Sequence, residues 1–529
     1  MFVLLPAFLL LIFSLVILWL QWKRPGYGYI WLLAVLAALL AWGLCFAFRW
    51  WQPQPFQLMY WNVPGDEQIA VVFMVDDVNW AYVFGFASLL LVVIIADSTR
   101  LTIAGIGWRW AASLGYVGIG MLAALSGTMV TFLLLWSLID VVDLALVLRR
   151  SEDSREVKSA MLSLGVRMGG TFLMILPICL DFGRQGTGLA LNGFSTESGM
   201  YYVAGVILRL GLVPGHLCFS PPDGGSRGLR IISCLIAPAS AMVLLGRLPR
   251  GMAFPTWQPF LLFAVVILVL YAAWMWSKVE NQSKSMFYWQ FSLAGMAVIC
   301  VLRGVPSASI VWGVSMILSG GLLFLYTHRH VQLSFVPVLG ALGFCGLPYT
   351  PAARGWLGLA HQFDLVAIAM LFAHFLLLYG YVRHGLVAGE DYLQIERWAQ
   401  VLYPAALIIM IVTQWFIGLS RLEDLSYGVL WASLPSAGLT AVRYFWLTDA
   451  WMEKKIFAGY PPRRVIFQRL EKGAAAFLGL EWLSYIFEKI YVVFGWVVNG
   501  VSRILEGDGG VLWALLLLTL LSTLIRSLE

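Results

Sequence analysis

Four side chains stand out because they are ionisable and lie inside long apolar runs. Asp140 and Asp143 are three residues apart in the run 128–148, Arg209 lies in 199–217 and His374 in 363–386. An aspartate can take up and release a proton, and a histidine titrates near neutral pH, so both can pass protons along a low-dielectric path. Arginine effectively cannot lose its proton. Arg209 can therefore hold a carboxylate or repel cations, and a structural ion pair is its other reading. His374 likewise has two readings, a titratable station and a hydrogen-bonded packing residue. Two further features can bare backbone groups. Pro214–Gly215 is expected to break the segment of Arg209 well over a turn beyond it, and Gly346-Leu-Pro348 to break the segment 333–357. Broken helices are tolerated in a membrane only where protein or a cavity surrounds them. A pair of them at corresponding positions of two halves points to inverted repeats around a transport path.

The elements that must position these groups follow from composition. Of 529 residues, 61% are hydrophobic and 12% charged, and the mean hydropathy is +0.84. A soluble domain carries about 25% charged residues. The fold class is therefore all-α and polytopic in a membrane. With roughly 20 apolar residues needed per crossing, spans are expected near 2–21, 28–49, 79–97, 107–125, 128–148, 160–180, 199–217, 229–247, 258–277, 286–303, 306–326, 333–357, 363–386, 400–419, 425–447 and 510–526. The first lacks a basic leader region and a small-residue cleavage site, so it reads as a retained helix. Lys and Arg concentrate on one side, in loops such as Arg149–Arg155 and the stretch Lys454–Lys472. By the positive-inside rule this puts the N-terminus outside, and the C-terminus with it; the membrane expected is a prokaryotic inner membrane.

Two stretches are not ordinary spans. The loop 50–78 contains a β-like run, Gln68–Val75, and is expected to form a capping hairpin outside. In 463–507, Glu481, Ser484, Glu488 and Lys489 recur on one face of an otherwise apolar helix. Placing three ionisable groups in lipid is costly, so this helix is expected to lie along the membrane surface. The six cysteines are scattered singly, and no Walker, H-E-x-x-H or G-x-G-x-x-G motif occurs. No cofactor, quinone or metal site is therefore expected. The net charge of +6 sits in short loops and marks orientation, not nucleic-acid binding.

Several motifs, in order, resemble one family: the antiporter-like membrane subunits of respiratory complex I and the large subunits of Mrp-type cation/proton antiporters. Phe73-Met-Val-Asp-Asp77 resembles the family's F-x-x-D at the start of its third helix, and Leu133-Leu-Leu-Trp-Ser-Leu138 its L-L-F-x-W-E-L. Leu208-Arg-Leu-Gly-Leu-Val-Pro-Gly-His216 with Pro221-Pro-Asp223 resembles K-x-G-x-x-P-F-H-x-W-L-P-D. Lys284-Ser-Met-Phe-Tyr288 is similar to K-R-x-L-A-Y, and Gly346-Leu-Pro348 to G-L-P-P. Leu505-Glu-Gly-Asp-Gly-Gly-Val-Leu-Trp513, after the surface helix, resembles the C-terminal extension of the longest members. The implied organisation is helices 1–3 with the hairpin loop (1–106), two inverted five-helix repeats (107–248 and 258–386), two helices (400–447), the lateral helix (463–507) and a last span (510–526).

In the family a lysine matching Arg209 can switch its pairing with a glutamate matching Ser137. In this resemblance Asp140, one turn on, can replace that acid and pair with Arg209; Asp143, nearer the cytoplasmic headgroups, reads either as a further path residue or as a solvated one. Other family charges are missing: the eighth segment reads Cys234-Leu-Ile-Ala-Pro-Ala-Ser-Ala241, and the eleventh offers only Ser315 and Ser319. The expected function is a proton-translocating, non-redox membrane subunit of a multisubunit complex. Other integral membrane subunits are its partners, with a cytoplasmic coupling subunit as a further one. The alternatives are a non-conducting scaffold and the membrane partner of an inorganic-carbon uptake system.

Overall fold

The computed structural model describes residues 2–24, 29–63, 67–100, 106–150, 154–178, 198–212, 227–249, 257–280, 282–330, 333–360, 364–386, 389–420, 433–445 and 489. The chain divides into the units Met1–Ala458 and Gly459–Glu529, and apart from Lys489 the description concerns the first. Pro214, Gly215, the lateral helix expected over 463–507 and the span 510–526 lie outside the described residues.

The helices are α1 Leu5–Lys23, α2 Ile30–Ala47, α3 Asp77–Ala96, α4 Ile106–Ala124, α5 Met129–Arg150, α6 Ser154–Leu173, α7 Gly199–Arg209, α8 Arg227–Arg247, α9 Gln258–Lys278 and α10 Gln282–Leu302. They continue with α11 Pro306–Leu325, α12 Phe335–Phe344, α13 Leu365–Leu386, α14 Arg397–Leu419 and α15 Leu434–Phe445. Among the described residues, ten helices are long and apolar enough to cross a membrane; sixteen spans were expected. The protein is an all-α polytopic membrane protein. Its apolar surface is turned outward: Trp22, Phe260 and Leu365 are each more than three-quarters exposed. Such faces suit lipid as solvent. The centre is formed by helices apolar all round, with 89% of the α3 span and 94% of α11 buried, against 28% of α5.

A short hairpin covers one end of the bundle. β1 (Phe56–Val63) pairs antiparallel with β2 (Glu67–Phe73). The hairpin is pinned to the α4–α5 connection by Met74 N–H on Leu125 O (2.9 Å), Gly127 N–H on Val72 O (2.7 Å) and Thr128 Oγ1 on Ala70 O (2.8 Å). Asp76 then caps α3, accepting from the backbone N–H of Val78 and Asn79 while the Asn79 side chain takes the Asp76 N–H. Arg247, closing α8, pairs with the other Asp76 oxygen at 2.9 Å and donates to Ser126 O at 2.7 Å. One buried guanidinium thus joins the ends of α3, α4 and α8.

Inside the bundle, backbone carbonyls freed by sequence irregularities find side-chain donors. Pro238 interrupts α8 and has no N–H for Cys234 O, four residues back. The buried Gln290 of α10 donates its Nε2 to that carbonyl. Glycines serve similarly. The Trp289 indole N–H reaches Met316 O at 3.2 Å and that of Trp276 reaches Leu377 O at 3.0 Å. Gly320 and Gly380, one turn on, leave the room: a Cβ at either would run into the indole. Because a helical Cβ leans toward the N-terminus, its absence bares the carbonyl of the preceding turn.

The segment 333–357 is not one continuous helix. α12 stops at Phe344; Gly346 has φ 69° and Tyr349 φ 64°, and the chain resumes as a single turn at Trp356–Leu359. A Cβ on Gly346 would strike the Trp356 indole, so this left-handed turn demands glycine on both counts.

Gln290→Leu will remove the buried side-chain donor to the Cys234 carbonyl and destabilise the protein by about 1–3 kcal/mol. Adding Pro238→Ala, which restores the helix bond, will recover most of it. Unfolding midpoints of the purified protein in detergent measure both. By the same assay Gly320→Ala will cost about 1–3 kcal/mol through overpacking on Trp289. Gly43→Ala, where a Cβ meets nothing within 4 Å, will stay within about 0.5 kcal/mol.

Candidate functional site

Asp140, Asp143 and Arg209 come together, with a fourth charge that the sequence reading passed over. Asp140 and Asp143 project from one face of α5. Arg167 comes from α6 and Arg209 from the last turn of α7. The two crossing helices touch backbone to backbone at Gly170 and Gly205: a Cβ on Gly170 would lie 2.7 Å from Gly205 O, and one on Gly205 would lie 3.0 Å from Gly170 O. That contact brings α7 close enough for its arginine to reach α5.

Arg209 was expected near the middle of a span ending at 217, and here the structure differs. α7 ends at Arg209. Gly211, at φ 72°, donates its N–H to Leu208 O (3.0 Å), and Leu212 donates to Ile207 O (3.1 Å). This 6→1 and 5→2 pair is a Schellman stop, which needs a left-handed residue. The helix is therefore closed by Gly211, three residues before Pro214. Arg209 sits at the negative end of the helix dipole, where a cation is favoured.

The Arg209 guanidinium grips Asp140 with both ends: Nη1 to Oδ2 at 2.7 Å and Nη2 to Oδ1 at 3.1 Å. Nη1 also donates to Thr171 Oγ1 (3.1 Å) and Nη2 to Trp136 O (3.2 Å), while the plane lies 4.3 Å from the Trp136 ring centroid. Arg167 Nη1 sits between the carboxylates, 2.9 Å from Asp143 Oδ2 and 3.4 Å from Asp140 Oδ1. Asp140, Arg167 and Arg209 are at most 2% exposed, and 18% of the Asp143 side chain is accessible. Asp143 is thus an ion-pair partner of Arg167, not the solvated group expected. Two cations and two anions leave the cluster neutral, which lets four charges remain in an apolar interior. Only the carboxylates can exchange a proton there, because guanidinium effectively cannot.

Ser137 stands apart; its hydroxyl donates to Leu133 O of its own helix at 3.0 Å. His374 belongs to a different group of helices. Fully buried on α13, it contacts Phe344 O through Nε2 (3.1 Å) and Ser436 Oγ of α15 through Nδ1 (2.7 Å). A carbonyl only accepts, so Nε2 carries a proton and donates to Phe344 O, while the one proton of the Ser436 hydroxyl is shared between Nδ1 and Ser433 O, 2.8 Å from the same Oγ. His374 therefore caps the broken end of α12, packed between the rings of Phe344 and Trp356. Of the α11 serines, Ser319 Oγ accepts from Gln414 Nε2 at 2.8 Å. Arg167 carried a signal in the sequence: it is the lone charged residue in 160–180, the kind of signal that singled out Arg209. Thr171 and Trp136 carried none, since their parts depend on a contact between helices.

No protein-family profile matches the chain, and no curated protein is significantly similar to it. Solved structures do share its fold. A subunit of respiratory complex I from Thermus thermophilus, solved with bound NADH, is 16% identical with a TM-score of 0.62, covering 83% of this chain and 99% of that subunit. A chain of the membrane-bound sulfane sulfur reductase, an archaeal respiratory membrane complex, is 14% identical with a TM-score of 0.63, covering 97% and 99%. A chain of the Mrp complex from Dietzia sp. DQ12-45-1b is 12% identical with a TM-score of 0.65; the whole of this chain matches 63% of that one. At such identities the likeness is one of fold: the chain folds like membrane subunits of multisubunit complexes.

Proposed function

We propose that this chain is an antiporter-like, ion-translocating membrane subunit of a multisubunit complex, with the proton as its ion. The observation that carries the reading is the buried cluster of Asp140, Asp143, Arg167 and Arg209. The Asp140 carboxylate is shared between two fixed cations, and Asp143 offers a second acid to one of them. In this reading Asp140 takes the proton as Arg209 lets go, and the cluster then holds two guanidinium groups and the Asp143 carboxylate, carrying one positive charge until the proton moves on. The acid is the titrating member, because the arginine cannot be. The rest of the reading is two inverted repeats, a lateral helix and last span in the C-terminal unit as in the longest subunits, both termini outside, and partner membrane subunits in a prokaryotic inner membrane. The end of α7 at Gly211 and the break of α12 at Gly346, five helices apart, support the repeats.

A second reading has its own observation. Arg209 is held by both ends, and both nitrogens of His374 are engaged, so the same groups can act as fixed struts of a non-conducting scaffold. Proton flux separates the two. In proteoliposomes of the purified complex, Asp140→Asn is expected to cut flux at least about tenfold, and Asp140→Glu to retain part of it. Removing one partner of a buried pair costs about 3–5 kcal/mol, so folding needs a control. The double variant Asp140→Leu, Arg209→Met removes both charges, and the assembled complex should still lose flux. Flux equal to the unmodified complex in that variant refutes the translocating role and leaves the scaffold.

A further inference from the structure

Each terminal nitrogen of Arg209 has two acceptors, one on the carboxylate and one neutral. Nη1 reaches Asp140 Oδ2 at 2.7 Å and Thr171 Oγ1 at 3.1 Å, and Nη2 reaches Asp140 Oδ1 at 3.1 Å and Trp136 O at 3.2 Å. Protonation of Asp140 removes the charge that grips the guanidinium, but it leaves the neutral acceptors in place. A released arginine is then held by Thr171 and Trp136 O. The Trp136 carbonyl is backbone, four residues before Asp140 on α5, so Thr171 is the side-chain member of this second set.

Three features fit Thr171 to that task. Its hydroxyl donates to Arg167 O at 3.1 Å, one turn back on α6. The single proton is thus engaged within the helix, and the oxygen accepts from Arg209 whatever the state of Asp140. Its place is set by packing: a Cβ on the neighbouring Gly170 would lie 2.7 Å from Gly205 O and 3.1 Å from the Arg209 backbone N. The close crossing of α6 and α7 that brings the arginine to α5 therefore delivers the hydroxyl to the arginine. Thr171 is also only 6% exposed, in an interior where an unpaired donor on a cation is costly.

We propose that Thr171 is a positioning residue for proton exchange: it holds Arg209 while Asp140 is protonated, and so sets how readily the pair opens. Thr171 has this task only where the cluster translocates protons, so the role rests on that reading. The other groups facing Asp140 are Arg167 on α6, Asp143 on its own helix and Tyr116 on α4, with Cys234 of α8 acting on Tyr116. These stay the same when Thr171 is changed. Loss of the hydroxyl weakens the state with a released arginine more than the state in which the carboxylate grips it. Protonation is thereby disfavoured, and more acid is needed for exchange.

The test is proton flux in proteoliposomes of the purified complex, driven by a potassium diffusion potential at equal pH on both sides and repeated over a series of pH values. Thr171→Val keeps the shape and loses the acceptor. It should move the midpoint of the alkaline limb, where flux falls as pH rises, down by about one unit. Thr171→Ser should leave the midpoint in place. Thr171→Cys, a weaker acceptor, should move it down by less, and it decides the matter if the valine variant does not assemble. An unmoved or raised midpoint without the hydroxyl overturns the proposal, as does a serine variant that shifts like valine. A uniform fall in flux with the midpoint unmoved also overturns it and leaves Thr171 a structural residue. The double variant Asp140→Leu, Arg209→Met separates the two levels. Undiminished flux there removes the translocating reading and the role of Thr171 with it, whereas lost flux there with an unmoved valine midpoint removes the role of Thr171 alone.

Discussion

Charge neutrality in an apolar interior is the constraint on which the cluster of α5, α6 and α7 depends. A carboxylate or guanidinium buried alone is prohibitively costly, and a pair is tolerated only with good geometry and its remaining polar atoms engaged. Asp140 and Arg209 meet most of that demand with two parallel contacts, and Thr171 and Trp136 occupy further donors of the guanidinium, leaving its Nε without a hydrogen-bond partner. Arg167 extends the balance to Asp143. None of this is possible unless α6 and α7 approach closely, which explains glycine at both 170 and 205. The stop at Gly211 then sets where along α7 the arginine is presented. Function and fold are here the same problem: the charges that can serve translocation also have to be neutralised for the bundle to exist.

The same reasoning extends to the backbone. A membrane interior supplies no water for an orphan carbonyl, so every proline or helix end inside the bundle needs a donor from elsewhere, while a helical glycine, which keeps its N–H, opens room for a second donor. Gln290 serves the carbonyl that Pro238 frees, Trp276 and Trp289 serve carbonyls bared by glycines, and His374 serves the end of α12. Many of these polar side chains resemble proton-path residues when seen in sequence. In three dimensions they complete hydrogen bonds. This is why the buried histidine, the most suggestive titratable residue of the second half, reads as a cap.

The network therefore differs in character from one built on lysine. Lysine can be neutral in a low-dielectric site, whereas arginine stays charged and binds by a planar fork. Substituting the fork moves the burden of proton exchange to the aspartates and makes the pair stiffer. In the proposed translocating reading such a network moves protons by exchange of partners around Asp140, and in the scaffold reading it holds its helices fast. The geometry accommodates both, and they differ in flux.

Much of the architecture was legible in the sequence because it depends on local and compositional physics. Apolar runs of membrane length, a β-like run before Asp76, and a glycine–proline break at 346–348 each report on their own neighbourhood. The ionisable residues Asp140, Arg209 and His374 were visible for the same reason, as rare charges in apolar runs. What the sequence could not supply was partnership. That Arg167 bridges the two aspartates, that Asp143 is paired, that His374 caps a broken helix and that Gln290 answers Pro238 each depend on residues 24 to 62 positions apart meeting across helices. The end of α7 was misplaced because proline is the louder local signal, while Gly211 acts only when the following N–H groups fold back on the last turn. Sequence alone determined the solvent of this protein and the few charges it had to hide. Tertiary structure decided which charge answers which, because a side chain's partner is set by the packing of helices and not by its place in the chain.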